Sequence, residues 1–148
     1  MLLPQGGYFP GGVDVARLFL KAESPITYVV DKRDQTTTYS TFEDGAYTSS
    51  PLLVLVDGKT ASASEILSSA LQDNGRATLI GEQTFGKAVI QTVEQLNDGS
   101  AVVVSIARYQ TPKRADINQK GIAPQVKKEC PPGEAAAACV ADELKQVL

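Results

Sequence analysis

The sequence predicts an α/β fold, and three stretches carry that expectation. Leu52-Leu53-Val54-Leu55-Val56 is a continuous apolar run of the kind that forms a strand buried on both faces. A helical pattern over residues 62–72 follows it, and a second short apolar run, residues 77–80, follows the helix. Two β-prone runs then flank Asn97-Asp98-Gly99-Ser100, a strong hairpin signal. Strands and helices that alternate in the first half, with a hairpin after them, define the class.

From the front, Gly6-Gly7-Tyr8-Phe9-Pro10-Gly11-Gly12 reads as a glycine-rich turn. Residues 13–20 follow as a helix, with Val15, Leu18 and Phe19 at helical spacing. Ser24-Pro25 closes it, because proline disfavours the helical region for the residue before it. Residues 26–30 and 36–39 read as strands on either side of a turn, and residues 42–50 as a loop of small polar residues. The helix over 62–72 places Ile66, Leu67, Ala70 and Leu71 on one side and stops at Asn74-Gly75, which suit a left-handed cap. Residues 90–96 and 101–109 form the hairpin arms, and past Pro112 the chain turns irregular. Pro131-Pro132-Gly133 leads into an alanine-rich helical tail. With almost nothing ahead of the first glycine turn, the chain is expected to be truncated at its front.

Composition narrows the chemistry. A hydrophobic fraction of 43% with 21% charged residues belongs to a packed globular protein. A net charge of −3, with 14 basic residues that form no stripe, argues against nucleic acid as a partner. The chain has no histidine, which removes Ser–His–Asp and Cys–His catalysis and most zinc sites. No metal and no cofactor are expected, and hydrolysis here needs another base.

Thr60-Ala61-Ser62-Ala63-Ser64-Glu65-Ile66 lies between a buried strand and a helix, where open α/β folds place their sites. A helix start offers unpaired N–H groups and partial positive charge to an oxyanion. Ser62-x-x-Glu65 equally fits a capping box, which needs no chemistry, and one serine can do both. Lys87, beside Gly86 and before an apolar run, can sit in a dry site where desolvation lowers its pKa and lets it take a serine proton. The bland alternative is a surface lysine. Gln91, four residues on, shares a strand face with Lys87, and its amide oxygen can orient the amine. Gly6 and Gly7 offer N–H groups to an oxyanion or make a turn. Cys130 and Cys139 pair in an oxidising compartment and are plain thiols in a reducing one.

In order and spacing, these stretches resemble the carboxyl-terminal processing peptidases, or tail-specific proteases, from about Gly6 to Pro124. The residues that carry the resemblance are Gly6-Gly7-Tyr8-Phe9-Pro10, Lys59-Thr60-Ala61-Ser62-Ala63-Ser64-Glu65-Ile66-Leu67, Asp73-Asn74-Gly75-Arg76, Gly81-Glu82-Gln83-Thr84-Phe85-Gly86-Lys87, Gln91, Asp98-Gly99-Ser100, Ala107-Arg108-Tyr109-Gln110-Thr111-Pro112 and Asp116-Ile117-Asn118. The resemblance implies stacked βα units like the ClpP/crotonase-type core, with residues 1–126 a catalytic core incomplete at its N-terminal edge and 127–148 a cysteine-bearing tail. It implies Ser62 as nucleophile, Lys87 as general base, Gln91 as the residue that positions the lysine, and Glu65 in support. The backbone N–H groups of Ala63 and of Gly6 or Gly7 would form the oxyanion hole. The implied substrate is a protein with a free, apolar C-terminus, so any membrane association comes through that substrate. The tail is most similar to plastid members, which act in the thylakoid lumen and mature a photosystem II reaction-centre subunit. Bacterial periplasmic members are the alternative, and either location permits a Cys130–Cys139 bond. Family members also carry an N-terminal region and a PDZ domain, absent from this sequence.

Two other readings compete with an endopeptidase. One is a catalytically incomplete chain that binds peptides or a second copy by strand addition at an open sheet edge. The other, weaker, is a crotonase-type acyl-transfer enzyme, for which no nucleotide site is evident.

Overall fold

The computed structural model describes residues 6–131, 136–142 and 145. Residues 1–5 and the Pro132-Gly133 lead-in to the tail lie outside these. The fold is mixed α/β, built on two sheets with a pair of helices between the elements that carry them. In chain order the elements are α1 (Phe9–Phe19), β1 (Pro25–Asp31), β2 (Thr36–Ser40), β3 (Leu53–Val56), α2 (Ala63–Asp73), β4 (Thr78–Gly81), β5 (Val89–Gln95), β6 (Ala101–Gln110), β7 (Val126–Lys127) and α3 (Ala136–Cys139).

The strand–helix–strand unit β3–α2–β4 sets the first sheet. Its order is β3-β4-β7, and both pairings are parallel, from Leu53↔Thr78 to Val56↔Gly81 and from Ile80↔Val126 to Gly81↔Lys127. The second sheet is antiparallel, in the order β2-β1-β6-β5. Two local hairpins supply its outer pairs, β1 with β2 and β5 with β6. They join where Tyr28 to Asp31 pair with Gln110 to Ala107, across some eighty residues of chain.

Helix α2 is buried all round rather than on one side, from Ala63 to Leu71. Small polar residues make this possible. The Ser68 hydroxyl donates to the Ser64 carbonyl at 2.7 Å and the Ser69 hydroxyl to the Ile66 carbonyl at 3.1 Å, so both of these buried hydroxyls have an acceptor within the helix. The helix ends as expected of Asn74-Gly75. Gly75 takes a φ of +66°, and the N–H groups of Gly75 and Arg76 return to Gln72 and Leu71 in a Schellman pattern.

Two sequence expectations are corrected. Gly11 and Gly12, read as part of a turn, belong to α1, which starts four residues earlier than residue 13. Pro10 in its first turn presets the helical φ where an N–H would have no partner anyway. A Cβ on Gly12 would lie 2.6 Å from the Ala63 carbonyl, so glycine there lets α1 press against the start of α2. The region past Pro112 is also less irregular than it reads. β7 completes the parallel sheet, and Cys139 and Val140 bury against Leu53 and Ile80 in a second, smaller core. A two-residue strand carries too little pattern to be seen in sequence.

Candidate active site

Ser62 caps α2 at the C-terminal end of the loop that leaves β3. Asp57 shapes that loop by accepting the N–H groups of Lys59 and Thr60 at 3.0 and 2.8 Å. Ser62 itself is half-buried and holds a φ of +55° with ψ −122°, a region that side chains rarely adopt and that costs on the order of 1–3 kcal/mol. Such a conformation persists only where its surroundings enforce it, and sites of chemistry are where it tends to be kept.

What enforces it is Glu65. Its side chain is wholly buried, yet no cation faces it among the described residues. The carboxylate instead accepts four hydrogen bonds. Oε1 takes the Thr84 hydroxyl at 2.5 Å and the Gly86 N–H at 2.7 Å, while Oε2 takes the Ser62 and Lys87 N–H groups, both at 2.9 Å. The Glu65 half of the capping box is therefore formed, but the same carboxylate also reaches the segment before β5. One oxygen atom thus touches the backbones of Ser62 and Lys87 together.

The second tie comes from the other sheet. Tyr109, on β6, is 1% exposed, and its hydroxyl lies 2.5 Å from the Lys87 carbonyl and 3.1 Å from that of Ser62. Burial pushes the phenol above its ordinary value, and the charge of Glu65 pushes it the same way. The group therefore stays a hydrogen-bond donor throughout the neutral range.

The loop carrying Lys87 is held from behind. Gly86 has a φ of +85°, and a Cβ there would lie 2.7 Å from the Gly121 nitrogen and 2.8 Å from that of Lys120. Thr84 N–H donates to the Ile122 carbonyl, Phe85 N–H to Thr60 and Gln119 N–H to Gly86. In front, a cleft of about 350 Å³ is lined by Gly58, Lys59, Ala61, Phe85 and Lys87. Phe85 is 64% exposed and stands as an apolar wall beside the lysine.

The other expected site residues fall as follows. Ala63 opens α2; the N–H groups of Ser64, Glu65 and Ile66 turn back to Ala61 and Ser62, whereas that of Ala63 has no acceptor among the described residues. Gly6 lies against the loop that carries Ser62, since a Cβ on it would sit 2.7 Å from the Ala61 carbonyl and 3.0 Å from Ser62 Cβ. Gly7 faces open space. Lys87 is exposed rather than enclosed in a dry site, because the cleft before it is open. Gln91 is exposed on β5 opposite Ser105, with no side-chain hydrogen bond among the described residues. A register shift between Ile90 and Gln91 interrupts the alternation on which the shared-face spacing rests. Cys130 and Cys139 are joined by a disulfide, with Cα atoms 5.7 Å apart, away from this cluster. Thr84 and Tyr109 stand in stretches that carry the family resemblance, but the resemblance gives them no role; Tyr109 lies near the end of a strand whose pattern reads only as β, and nothing local marks its hydroxyl.

Comparison with known proteins gives a consistent result. The profile of peptidase family S41 matches residues 4–128. The chain is 47% identical over 121 residues to the chloroplastic carboxyl-terminal-processing peptidase 3 of Arabidopsis thaliana, covering 82% of this chain and 23% of that protein. It is 49% identical over 119 residues to the carboxyl-terminal-processing protease of a Synechocystis species, covering 80% and 27%. Among solved structures, a photosystem II D1 C-terminal processing protease superposes with a TM-score of 0.79 at 43% identity, over 86% of this chain and 33% of that one. The chain thus spans about a quarter of the length of these curated relatives.

Proposed function

The chain belongs to peptidase family S41, and from that premise we propose that it carries the catalytic centre of a serine endopeptidase working through Ser62 and Lys87. The observation that supports this reading most is the single Glu65 oxygen that takes the backbone N–H groups of both residues. Lys87 lies twenty-two residues beyond Glu65, and capping of the helix alone would not bring it to that buried carboxylate.

In the proposed reaction Ser62 Oγ attacks the scissile carbonyl while the neutral Lys87 amine takes the hydroxyl proton. The oxyanion that forms lies at the helix start, within reach of the Ala63 N–H and, from the other side, of the Gly6 N–H. Gly6 is the stronger candidate of the glycine pair, because it lies against Ser62. The ammonium of Lys87 returns its proton to the leaving amine, and an acyl-enzyme remains. Water, giving a proton to Lys87, then releases it. Substrate would enter the open cleft beside Phe85 and displace water from it. Gln91 is the residue to which the family resemblance gives the positioning of Lys87, and that role stays part of the proposal.

The substrate class follows from the relatives. Their names describe carboxyl-terminal processing, and one neighbour's describes the photosystem II D1 protein. Cleavage of a protein near its C-terminus is the reading carried over, with a photosystem II precursor as its most specific form. A plastid location follows from the chloroplastic relatives, and the thylakoid lumen suits the disulfide.

The test is incubation of the chain with an unstructured peptide bearing an apolar C-terminus, followed by mass spectrometry, beside Ser62→Ala and Lys87→Ala. Cleavage should fall in either variant by on the order of 10⁴-fold or more. Equal cleavage by both variants and the parent would refute the assignment. A peptide bound but uncut by the parent favours the second reading, strand addition. Its supporting observation is the outer edge of β5, next to exposed Val93, Val102, Val103 and Val104.

A further inference from the structure

We propose that Tyr109 is a positioning residue of this site, its hydroxyl fixing the nucleophile and the base relative to each other from the opposite side to Glu65. The proposal rests on the Ser62–Lys87 reading and adds a residue to it.

The geometry is reciprocal. Each amino acid is flanked by two peptide planes, one presenting its N–H and the other its carbonyl. Glu65 takes the N–H of Ser62 and of Lys87, both at 2.9 Å. Tyr109 is shared between the carbonyls of the same two residues, at 3.1 and 2.5 Å. The phenol has one proton to give, and the shorter contact is to Lys87, so the hydroxyl ties the Lys87 carbonyl and lies against that of Ser62; all four peptide planes next to the reacting side chains thus meet two buried side chains.

The two holders come from different parts of the fold. Glu65 rides on α2, one turn from Ser62. Tyr109 is fixed by β6, where it pairs with Val29 and donates its own N–H to the Ala88 carbonyl at 3.0 Å, one residue beyond Lys87. The Ser62 carbonyl is already supplied by the Glu65 and Ile66 N–H groups, so Tyr109 is not needed to satisfy it. A hydroxyl aimed at a carbonyl that has donors already, and at its catalytic partner, acts on spacing. With Ser62 held at a positive φ, the plane after it has a strong tendency to relax, and the phenol opposes that.

Tyr109→Phe deletes one oxygen and keeps the ring in the core. The experiment is the rate of Ser62 labelling by an alkyl fluorophosphonate, followed by intact mass. In that reaction an Oγ–P bond forms, fluoride leaves, and the hydroxyl proton passes to Lys87. The maximal labelling rate of Tyr109→Phe is expected to fall roughly 10- to 100-fold, the scale of a small misplacement of reacting groups. The half-saturating concentration should stay within about twofold, because binding of the reagent does not depend on the spacing. Thr27→Val is the control. It removes a buried hydroxyl that donates to the Gln110 carbonyl at 2.8 Å, next to Tyr109 on the same strand, and touches neither Ser62 nor Lys87. It should lower the melting temperature without changing the labelling rate of the folded chain. Parental labelling in Tyr109→Phe, or equal loss in both variants in step with melting temperature, overturns the proposal and leaves Ser62 as nucleophile. A parent chain that does not label at Ser62 overturns the nucleophile assignment first, and this proposal with it.

Discussion

At the scale of single residues, Glu65 decides how the site is built. A buried carboxylate with no cation is costly unless donors surround it, and here three backbone N–H groups and one hydroxyl do so. Tyr109 complements it, and its raised pKa gives a stability prediction. The folded chain holds the phenolic proton more tightly than the unfolded one, whose value is near the ordinary 10.0. The contribution is complete below that pH and is lost as the pH rises beyond it. The unfolding free energy measured in urea should therefore hold steady from neutral pH to about 9.5 and then fall, by up to ~1.4 kcal/mol per pH unit from this one proton. Tyr109→Phe should show a shallower alkaline fall. An identical fall in both chains would show that Tyr109 is not the group responsible. Much of this scale was legible in advance. Ser62, Glu65 and Lys87 stand in motifs, so family likeness reaches them. Tyr109 acts through a hydroxyl that meets its partners only after residues 47 and 22 positions away arrive.

Among the elements, the contrast lies between what local pattern shows and what only pairing creates. The run over β3, the helix α2 and the hairpin of β5 with β6 announce themselves, because each is a continuous apolar stretch or a turn with its own chemistry. The join of β1 to β6 does not, since nothing in either strand names its partner. Nor does the shift between Ile90 and Gln91, a one-residue irregularity that moves a side chain to the other face. The crossing of the 84–86 segment with the 117–121 segment is likewise silent in sequence, and it carries the prediction at this scale. In Gly86→Ala the new methyl meets the backbone nitrogens of Gly121 and Lys120 at a φ of +85°, where no side chain end can swing away. The variant should lose at least about 2 kcal/mol in urea unfolding, from backbone strain together with the displaced segment. Its Ser62 labelling should fall as well, because Lys87 is the next residue. A variant as stable as the parent would mean that the crossing is looser than drawn.

Over the whole molecule, two cores share the chain. The larger lies among α1, α2, β1, β3, β4 and Tyr109, and the smaller gathers Leu53, Ile80, Cys139 and Val140 behind the parallel sheet. The Cys130–Cys139 bond closes the tail over the smaller one. In the chain-entropy account a loop of this size contributes roughly 2–3 kcal/mol. Reductant, or Cys130→Ser with Cys139→Ser, should therefore lower the unfolding free energy measured in urea by that amount while Ser62 labelling of the folded chain continues. Loss of labelling on reduction would place the tail in the site's support. The class of fold was readable from alternation, while the tail's docking was not, because a two-residue strand and one disulfide leave no periodic trace.

Tyr109 has one more consequence. Ser62 belongs to the parallel sheet and its helix, the phenol of Tyr109 to the antiparallel sheet, and the strand that carries the phenol pairs with β1 far back in the chain. A newly made chain with only one sheet assembled has its serine but no alignment of serine with amine. In the role proposed for it, the hydroxyl would work as a coincidence detector, in place only when both halves have arrived.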